Sequence, residues 1–161
     1  MGSVREFYER IGDVGEDLLT DILQPLAPVE RSTNGADLLW RGLEIEVKTA
    51  RCRHYKPGRT GYQFCLRKDG HTDVGHADIA CLICLPNYPK DEGSCFFWIP
   101  ADRLPGLHLT IPSDPLHYHG RWAEYQDRWD LLEEIALRKE AQDAATAELV
   151  LPAVQQAVLA Q

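Results

Sequence analysis

The segment from Asp37 to Thr49 constrains the fold of this chain more than any other, because it has the pattern of a β-hairpin. A short apolar run that opens with an acid, Asp37–Trp40, is followed by Arg41-Gly42, a pair suited to a tight turn. The residues from Leu43 to Thr49 are rich in β-branched side chains, which favour strands. The sequence therefore predicts two strands joined at Arg41-Gly42.

Charged side chains are expected to gather on one face of this hairpin. Successive side chains of a strand point to opposite faces, so Glu44, Glu46 and Lys48 share one face. Asp37, on the neighbouring strand, can meet Glu46 and Lys48 at one edge of the sheet. The pattern therefore predicts two carboxylates and an ammonium group side by side.

This combination of groups suits the hydrolysis of a phosphodiester. Carboxylate oxygens are the ligands that Mg²⁺ prefers, and Mn²⁺ can substitute for it. The cation neutralises the phosphate and lowers the pKa of a bound water. A neighbouring lysine can position that water and offset the charge that builds up on the phosphorus centre.

The same residues resemble a known nuclease signature. Asp37, a gap of eight residues and then Glu46-Val47-Lys48 are similar to the PD-(D/E)xK signature of restriction-endonuclease-like nucleases. Ala36 stands where the proline that gives the signature its name would be, although that proline is often absent from the superfamily. The surrounding text is most similar to that of Holliday-junction-resolvase-like members, in Arg31-Ser32, Gly35-Ala36-Asp37 and Leu43–Thr49.

The resemblance covers roughly residues 5 to 100 and implies a Mg²⁺-dependent endonuclease that acts on DNA. It implies that Asp37 and Glu46 bind the metal with help from the Val47 carbonyl, while Lys48 orients the attacking water. A nucleic-acid-binding or regulatory module that keeps the fold without catalysis is the alternative. A structural domain whose Glu–Lys pattern merely decorates its surface is a further alternative.

Glu16 and Gln63 are two further candidates for the catalytic site. In the resembled family a glutamate on the first helix often joins the metal site, and the text from Gly15 to Leu19 matches it. The alternative for Glu16 is a capping box with Asp13 at a helix start. In some related nucleases a glutamine or lysine downstream of the E-x-K strand points back into the site. The alternative for Gln63 is an exposed amide at a sheet edge.

The charge of the chain is unevenly distributed. The net charge is −8, but eight basic and only two acidic residues lie between Arg41 and Lys68. Binding to a phosphate backbone depends on the local potential more than on the total charge. We therefore expect a basic loop from Arg51 to Gly61 to contact DNA, although a merely solvated cationic loop would have the same composition. The residues predicted to bind nucleic acid are Arg51, Arg53, Tyr55, Lys56, Arg59 and Arg67.

The order of elements predicts a three-layer α/β/α fold of the restriction-endonuclease-like type, with a mixed central sheet and helices on both faces. The apolar periodicity predicts a first helix over residues 3–24, with a possible joint at Gly12 and Gly15. The apolar run Ala77–Leu85 predicts a central strand covered on both faces, and Cys95–Ile99 predicts another.

The C-terminal third is predicted to be helical. A helix is expected from Arg121 to about Ala147, with five large apolar residues on one face: Trp122, Tyr125, Trp129, Leu132 and Ile135. We expect a single nuclease-like domain over residues 1–148 and a tail or short helix over residues 149–161.

The composition also bears on the cellular setting and on self-association. No apolar run approaches the length of a membrane helix, and the first ten residues lack a signal-peptide core, so a cytoplasmic protein is expected. The five cysteines are expected to be free thiols. A homodimer is expected because cutting two strands needs two sites. Its contact is expected at the aromatic helix from Trp122 to Ile135 or, in preference, at the apolar tail from Val150 to Leu159.

Overall fold

Two α-helices, ten strands and three 3-10 turns make up the part of the chain that the structure describes. This computed structural model describes residues 4–68, 71–72 and 76–159, and their side chains except at 4–9, 67–68, 71–72 and 153–154. In chain order the helices and strands are α1 (Val4–Leu23), β1 (Val29–Arg31), β2 (Leu38–Trp40), β3 (Leu43–Arg51), β4 (Arg53–Lys56), β5 (Arg59–Cys65), β6 (Arg67–Lys68), β7 (His71–Thr72), β8 (Ile79–Leu85), β9 (Cys95–Pro100), β10 (His108–Pro112) and α2 (Trp129–Leu159).

A five-stranded mixed sheet, in the order β1-β2-β3-β8-β9, lies at the centre of the molecule. Strands β3 and β8 run parallel, and the other neighbours are antiparallel. The predicted hairpin is confirmed, since β2 and β3 pair across Arg41 and Gly42. Both turn residues have positive φ, 49° and 77°, which matches the twist of the flanking strands. The mixed sheet of the predicted α/β class is therefore present.

The two faces of this sheet carry two separate cores. On one face, residues of α1 and α2 such as Leu19 and Leu132 pack against Ile45 and Cys81 of the sheet. Strand β8 is buried along its whole length, as its unbroken apolar sequence predicts.

The opposite face of the central sheet is covered by a second sheet, in the order β10-β5-β4. Tyr62 and Phe64 of β5 and Leu109 of β10 pack there against Leu82 and Phe97. Among the described residues no α-helix lies in this layer, so the predicted helical layer on both faces is wrong. The reason is the alternation along β5, where Tyr62 and Phe64 point inward while Gln63 and Cys65 point away from the core.

Helix α1 packs closely on β3 through a glycine. A Cβ placed on Gly15 would overlap the Thr49 hydroxyl and lie 2.9 Å from the Thr49 Cβ, so only glycine permits this approach. The helix runs without a break through Gly12 and Gly15, and the proposed joint is absent. The capping-box interpretation of Glu16 is also wrong, because Asp13 and Glu16 lie inside the helix.

The C-terminal helix begins later and ends later than predicted. Trp122 and Tyr125 precede it, around the 3-10 turn Ala123–Tyr125, and contact the core on the face of the second sheet. The chain then passes the edge of the central sheet at Asp127, whose N–H donates to the Phe96 carbonyl over 2.7 Å. Trp129 therefore packs on the opposite face, where α2 starts. The predicted aromatic face is divided between two layers for this reason.

Helix α2 continues through Pro152 to Leu159, so the predicted boundary near residue 148 does not interrupt it. None of the helices in the described part of the chain combines the length and hydropathy that a membrane crossing requires. All five cysteines are free thiols, as predicted.

Candidate active site

Asp37 is fixed directly against the strand that carries Glu46. Its N–H donates to the Ile45 carbonyl over 3.1 Å, one position out of the β2–β3 register, so Asp37 is held against β3 just before β2 begins. Its Oδ2 accepts a hydrogen bond of 2.7 Å from the Val47 N–H. The Asp37 carboxylate thus accepts the hydrogen bond of the Val47 N–H, which a longer β2 would have met with a backbone carbonyl. The predicted meeting of Asp37 with the Glu46 strand occurs in the structure.

Glu46 and Lys48 form an ion pair on the same face of β3. The Lys48 Nζ lies 2.6 Å from the Glu46 Oε1. Glu46 is only 3% exposed, and a carboxylate removed from water needs such a charged partner. The Lys48 side chain remains 21% exposed, so it reaches from the buried carboxylate toward solvent.

Glu44 is a buried acid beside this group that the sequence interpretation did not select. It is 9% exposed, and its Oε1 accepts a hydrogen bond of 2.7 Å from the Asn34 side chain. Its Oε2 is buried and has no hydrogen-bond partner among the described residues. The alternation along β3 was the available signal, because it places Glu44 on the same face as Glu46.

A cleft of about 620 Å³ opens beside Lys48. Strand β3, strand β5 and the first half of α1 form its walls. Three of its lining residues are cations, and carboxylates are absent from the described residues that line it. The lining residues are Ile11, Lys48, Thr49, Ala50, Arg51, Arg53, Gln63, Phe64, Cys65 and His108.

Gln63 reaches this cleft together with Arg53. The Arg53 Nη2 donates to the Gln63 Oε1 over 2.9 Å, which fixes the two side chains relative to one another. Gln63 therefore lies in the cleft wall, which fits the structure better than the alternative of an exposed amide at a sheet edge. Cys65 and His108 face each other across β5 and β10 in the same wall. Sequence spacing gave no signal for His108, because β10 follows the hairpin at a long distance.

The predicted DNA-binding loop is a β-hairpin, which corrects the loop assignment for Arg51 to Gly61. Strands β4 and β5 pair around Gly58, whose φ is 69°. The Tyr55 ring packs close to Gly61, where a Cβ would come within 3.2 Å of it.

The predicted DNA-binding residues are consequently divided. Arg51 and Arg53 line the cleft, while Lys56 and Arg59 pair at the far end of the hairpin. The side chain of Arg67 lies outside the described side chains.

Glu16 lies outside the cleft lining and bonds to Arg31. The contact joins Glu16 Oε2 to Arg31 Nη1, with the Glu16 side chain mostly buried and the Arg31 side chain exposed. This pair links α1 to β1 on the helical side of the sheet.

The arrangement suits a hard cation bound by few protein ligands. Mg²⁺ usually keeps several waters and takes one or two carboxylates from the protein, which Asp37 and Glu46 provide. The described residues contain no group of three or more His, Cys, Asp or Glu side chains placed to hold a metal. The described residues therefore do not form a closed zinc site, which takes four protein ligands.

No known family model matches the chain, and a search of curated proteins finds no significant match to it.

Proposed function

We propose that this protein is a Mg²⁺-dependent nuclease that hydrolyses phosphodiester bonds in DNA at a PD-(D/E)xK-type site. The observation that carries the proposal is that Asp37 hydrogen-bonds to Ile45 and Val47, the two neighbours of Glu46. Lys48 is ion-paired to Glu46 and also lines a cationic cleft.

Each residue has a distinct part in this proposal. A bound cation neutralises the scissile phosphate and makes a water more acidic. Asp37 and Glu46 hold the cation, with the Val47 carbonyl as a further oxygen donor. Lys48 orients the attacking water and offsets negative charge in the transition state. Arg51 and Arg53 hold the DNA backbone in the cleft.

The proposal is tested by incubating plasmid and branched DNA with the protein in Mg²⁺ or Mn²⁺. Wild-type protein is expected to cut at least one of these substrates, and Lys48→Ala is expected to lose at least a hundredfold in rate on it, as is usual when a group that stabilises transition-state charge is removed. Lys90→Ala is the matched control, since Lys90 is an exposed lysine in the loop after β8. Equal cutting by wild type and Lys48→Ala would refute the assignment.

A DNA-binding module without catalysis is the second candidate. The observation that favours it is that Glu46 is only 3% exposed and already ion-paired with Lys48, which leaves this carboxylate little access to a cation. Titration calorimetry with Mn²⁺ separates the two candidates. The nuclease is expected to bind one cation that Asp37→Asn or Glu46→Gln abolishes, whereas a module without catalysis has no use for a cation there.

We also propose a homodimer formed through the end of α2. The Asp143 carboxylate still lies close to Gly42, and one turn earlier the helix is anchored by the ion pair between Arg41 Nε and Glu140 Oε1, at 2.7 Å. Beyond Glu140, every described side chain in residues 141–159 is exposed. We name residues 141–159 the projecting segment, and it extends for about 29 Å.

The composition of the projecting segment favours a second copy as its occupant. Leu149 and Leu159 are 78% and 86% exposed, which is unusual for an apolar helix in water. Only Asp143 and Glu148 are charged in it, so two copies of a chain with net charge −8 can meet there with little repulsion. A partner recognised by charge would find few groups to bind.

Light scattering tests the dimer against a monomer mass of 18.2 kDa. The wild type is expected at twice this mass, and the variant Leu149→Glu with Leu151→Glu at the monomer mass. Leu116→Glu changes an equally exposed leucine elsewhere and should remain dimeric. A wild-type monomer at micromolar concentration would contradict the proposal.

The free thiols fit a reducing compartment, and we propose a cytoplasmic location on that basis.

A further inference from the structure

The cleft beside Lys48 has the dimensions of a pocket for a single nucleotide. Its volume of about 620 Å³ falls in the middle of the range of roughly 300–1,000 Å³ that small-molecule sites occupy. A sphere of that volume is about 11 Å across, which is small against the full width of a DNA duplex. A continuous duplex therefore cannot enter the cleft, although one of its nucleotides can if it is unpaired.

The charges of the lining select an anion. Arg51 and Arg53 are basic, Lys48 is a third cation that is already paired with Glu46, and no described lining residue is acidic. Guanidinium groups bind phosphate with paired hydrogen bonds. Gln63 holds the Arg53 guanidinium over 2.9 Å, so this group is positioned before a ligand arrives.

The rest of the lining suits the sugar and base of the same ligand. Ile11, Ala50 and Phe64 supply apolar surface, and the His108 ring supplies a flat polar group. A nucleotide has this same division between a charged phosphate and a largely apolar ring. Free phosphate would leave most of the cleft unfilled.

We propose that the cleft binds one unpaired nucleotide next to the phosphate that is cut, so that the substrates are single strands, flaps or forks and not continuous duplexes. The second half of this inference, the substrate class, rests on the proposed nuclease function. Lys48 links the two halves, because it belongs both to the cleft wall and to the Glu46 pair. The nucleotide in the cleft is thereby adjacent to the reacting phosphate. A nucleotide must leave the base stack to reach such a position.

Cys65 provides a direct report on occupancy, because it lines the cleft and is exposed. Burial raises the pKa values of the Cys81, Cys84 and Cys95 thiols, so these three react slowly with alkylating reagents. Trypsin cuts after Arg59 and Arg67, which places Cys65 alone in one peptide, apart from Cys52. Mass spectrometry then measures the alkylation rate at Cys65.

The binding experiment uses the full chain in EDTA, so that no cleavage can occur. Thymidine monophosphate and a short oligothymidylate are expected to slow the alkylation of Cys65 at least fivefold, while thymidine alone and a blunt hairpin duplex are not. Arg53→Met should lose this protection. Arg138→Met should keep it, because Arg138 lies on α2 in an exposed pair with Glu134. Protection by the duplex equal to that by the oligothymidylate, or no protection by either nucleotide ligand, would overturn the pocket.

The cleavage experiment tests the second half separately. In Mn²⁺, a fork with unpaired arms is expected to be cut at least tenfold faster than a continuous duplex of the same sequence. Equal rates would overturn the substrate class. If the wild type cuts none of these substrates while the nucleotides still protect Cys65 from alkylation, the nuclease is refuted and the nucleotide pocket is retained. Cleavage without protection would retain the nuclease and refute the pocket.

Discussion

Removing the charge of Lys48 should destabilise the protein as well as inactivate it. Glu46 is 3% exposed and has the Lys48 ammonium 2.6 Å away, so Lys48→Met takes from a buried carboxylate its nearest cation. Breaking a buried pair from one side costs about 3–5 kcal/mol. At about 2–4 °C per kcal/mol for a domain of this size, the midpoint of thermal unfolding should fall by about 6–20 °C.

The double variant tells this effect apart from simple loss of packing. Glu46→Gln with Lys48→Met removes both charges and keeps side chains of similar size, so most of the lost stability should return. Urea unfolding in EDTA measures the free energy of unfolding for the wild type, both single variants and the double variant. EDTA is needed because a bound cation would stabilise the wild type alone.

A coupling free energy near zero in this cycle would refute the reasoning. It would mean that the Glu46–Lys48 pair does not hold the carboxylate in its buried position. The catalytic assignment of Lys48 would then rest on the cleavage assay alone.

Two further predictions follow from close contacts and from charge. Gly15→Ala should lose up to about 2 kcal/mol of stability, because an overlap with Thr49 that costs about 1–3 kcal/mol is offset by about 1 kcal/mol of helix propensity. Thr49→Ala should restore part of the loss in urea unfolding, and a Gly15→Ala protein that is more stable than the wild type would contradict the packing. Neutralising Arg51 and Arg53 together should reduce the salt dependence of single-strand binding by about 1.4 in slope, measured by fluorescence anisotropy. A change confined to one base sequence would be incompatible with a role in backbone contact.

Local chemistry was enough to predict the segment that carries the acids. The hairpin follows from the turn pair Arg41-Gly42 and from the alternation after it, both of which act between neighbouring residues. The first helix follows from its apolar periodicity, and β8 from its unbroken apolar run. In each case, the residues that determine the element lie within it.

The meeting of Asp37 with the Glu46 strand was predicted at the level of strand pairing but not of atoms. The pairing of β2 with β3 brings Asp37 next to the Glu46 strand, and this follows from the turn. The hydrogen bond from the Val47 N–H to the Asp37 carboxylate does not follow, because β2 begins only after Asp37. The Asp37 carboxylate accepts this hydrogen bond, whereas a longer β2 would have supplied a backbone carbonyl.

The sequence by itself determined the hairpin, the first helix and the central strand, whereas the tertiary structure decided what surrounds the acids. The second sheet joins β5 to β10, so His108 comes opposite Cys65 from a distant part of the chain. The division of Trp122 and Trp129 between two cores arises where the chain passes the edge strand β9. Periodicity cannot reveal either arrangement, because it records which side of an element is apolar and not which layer that side will meet.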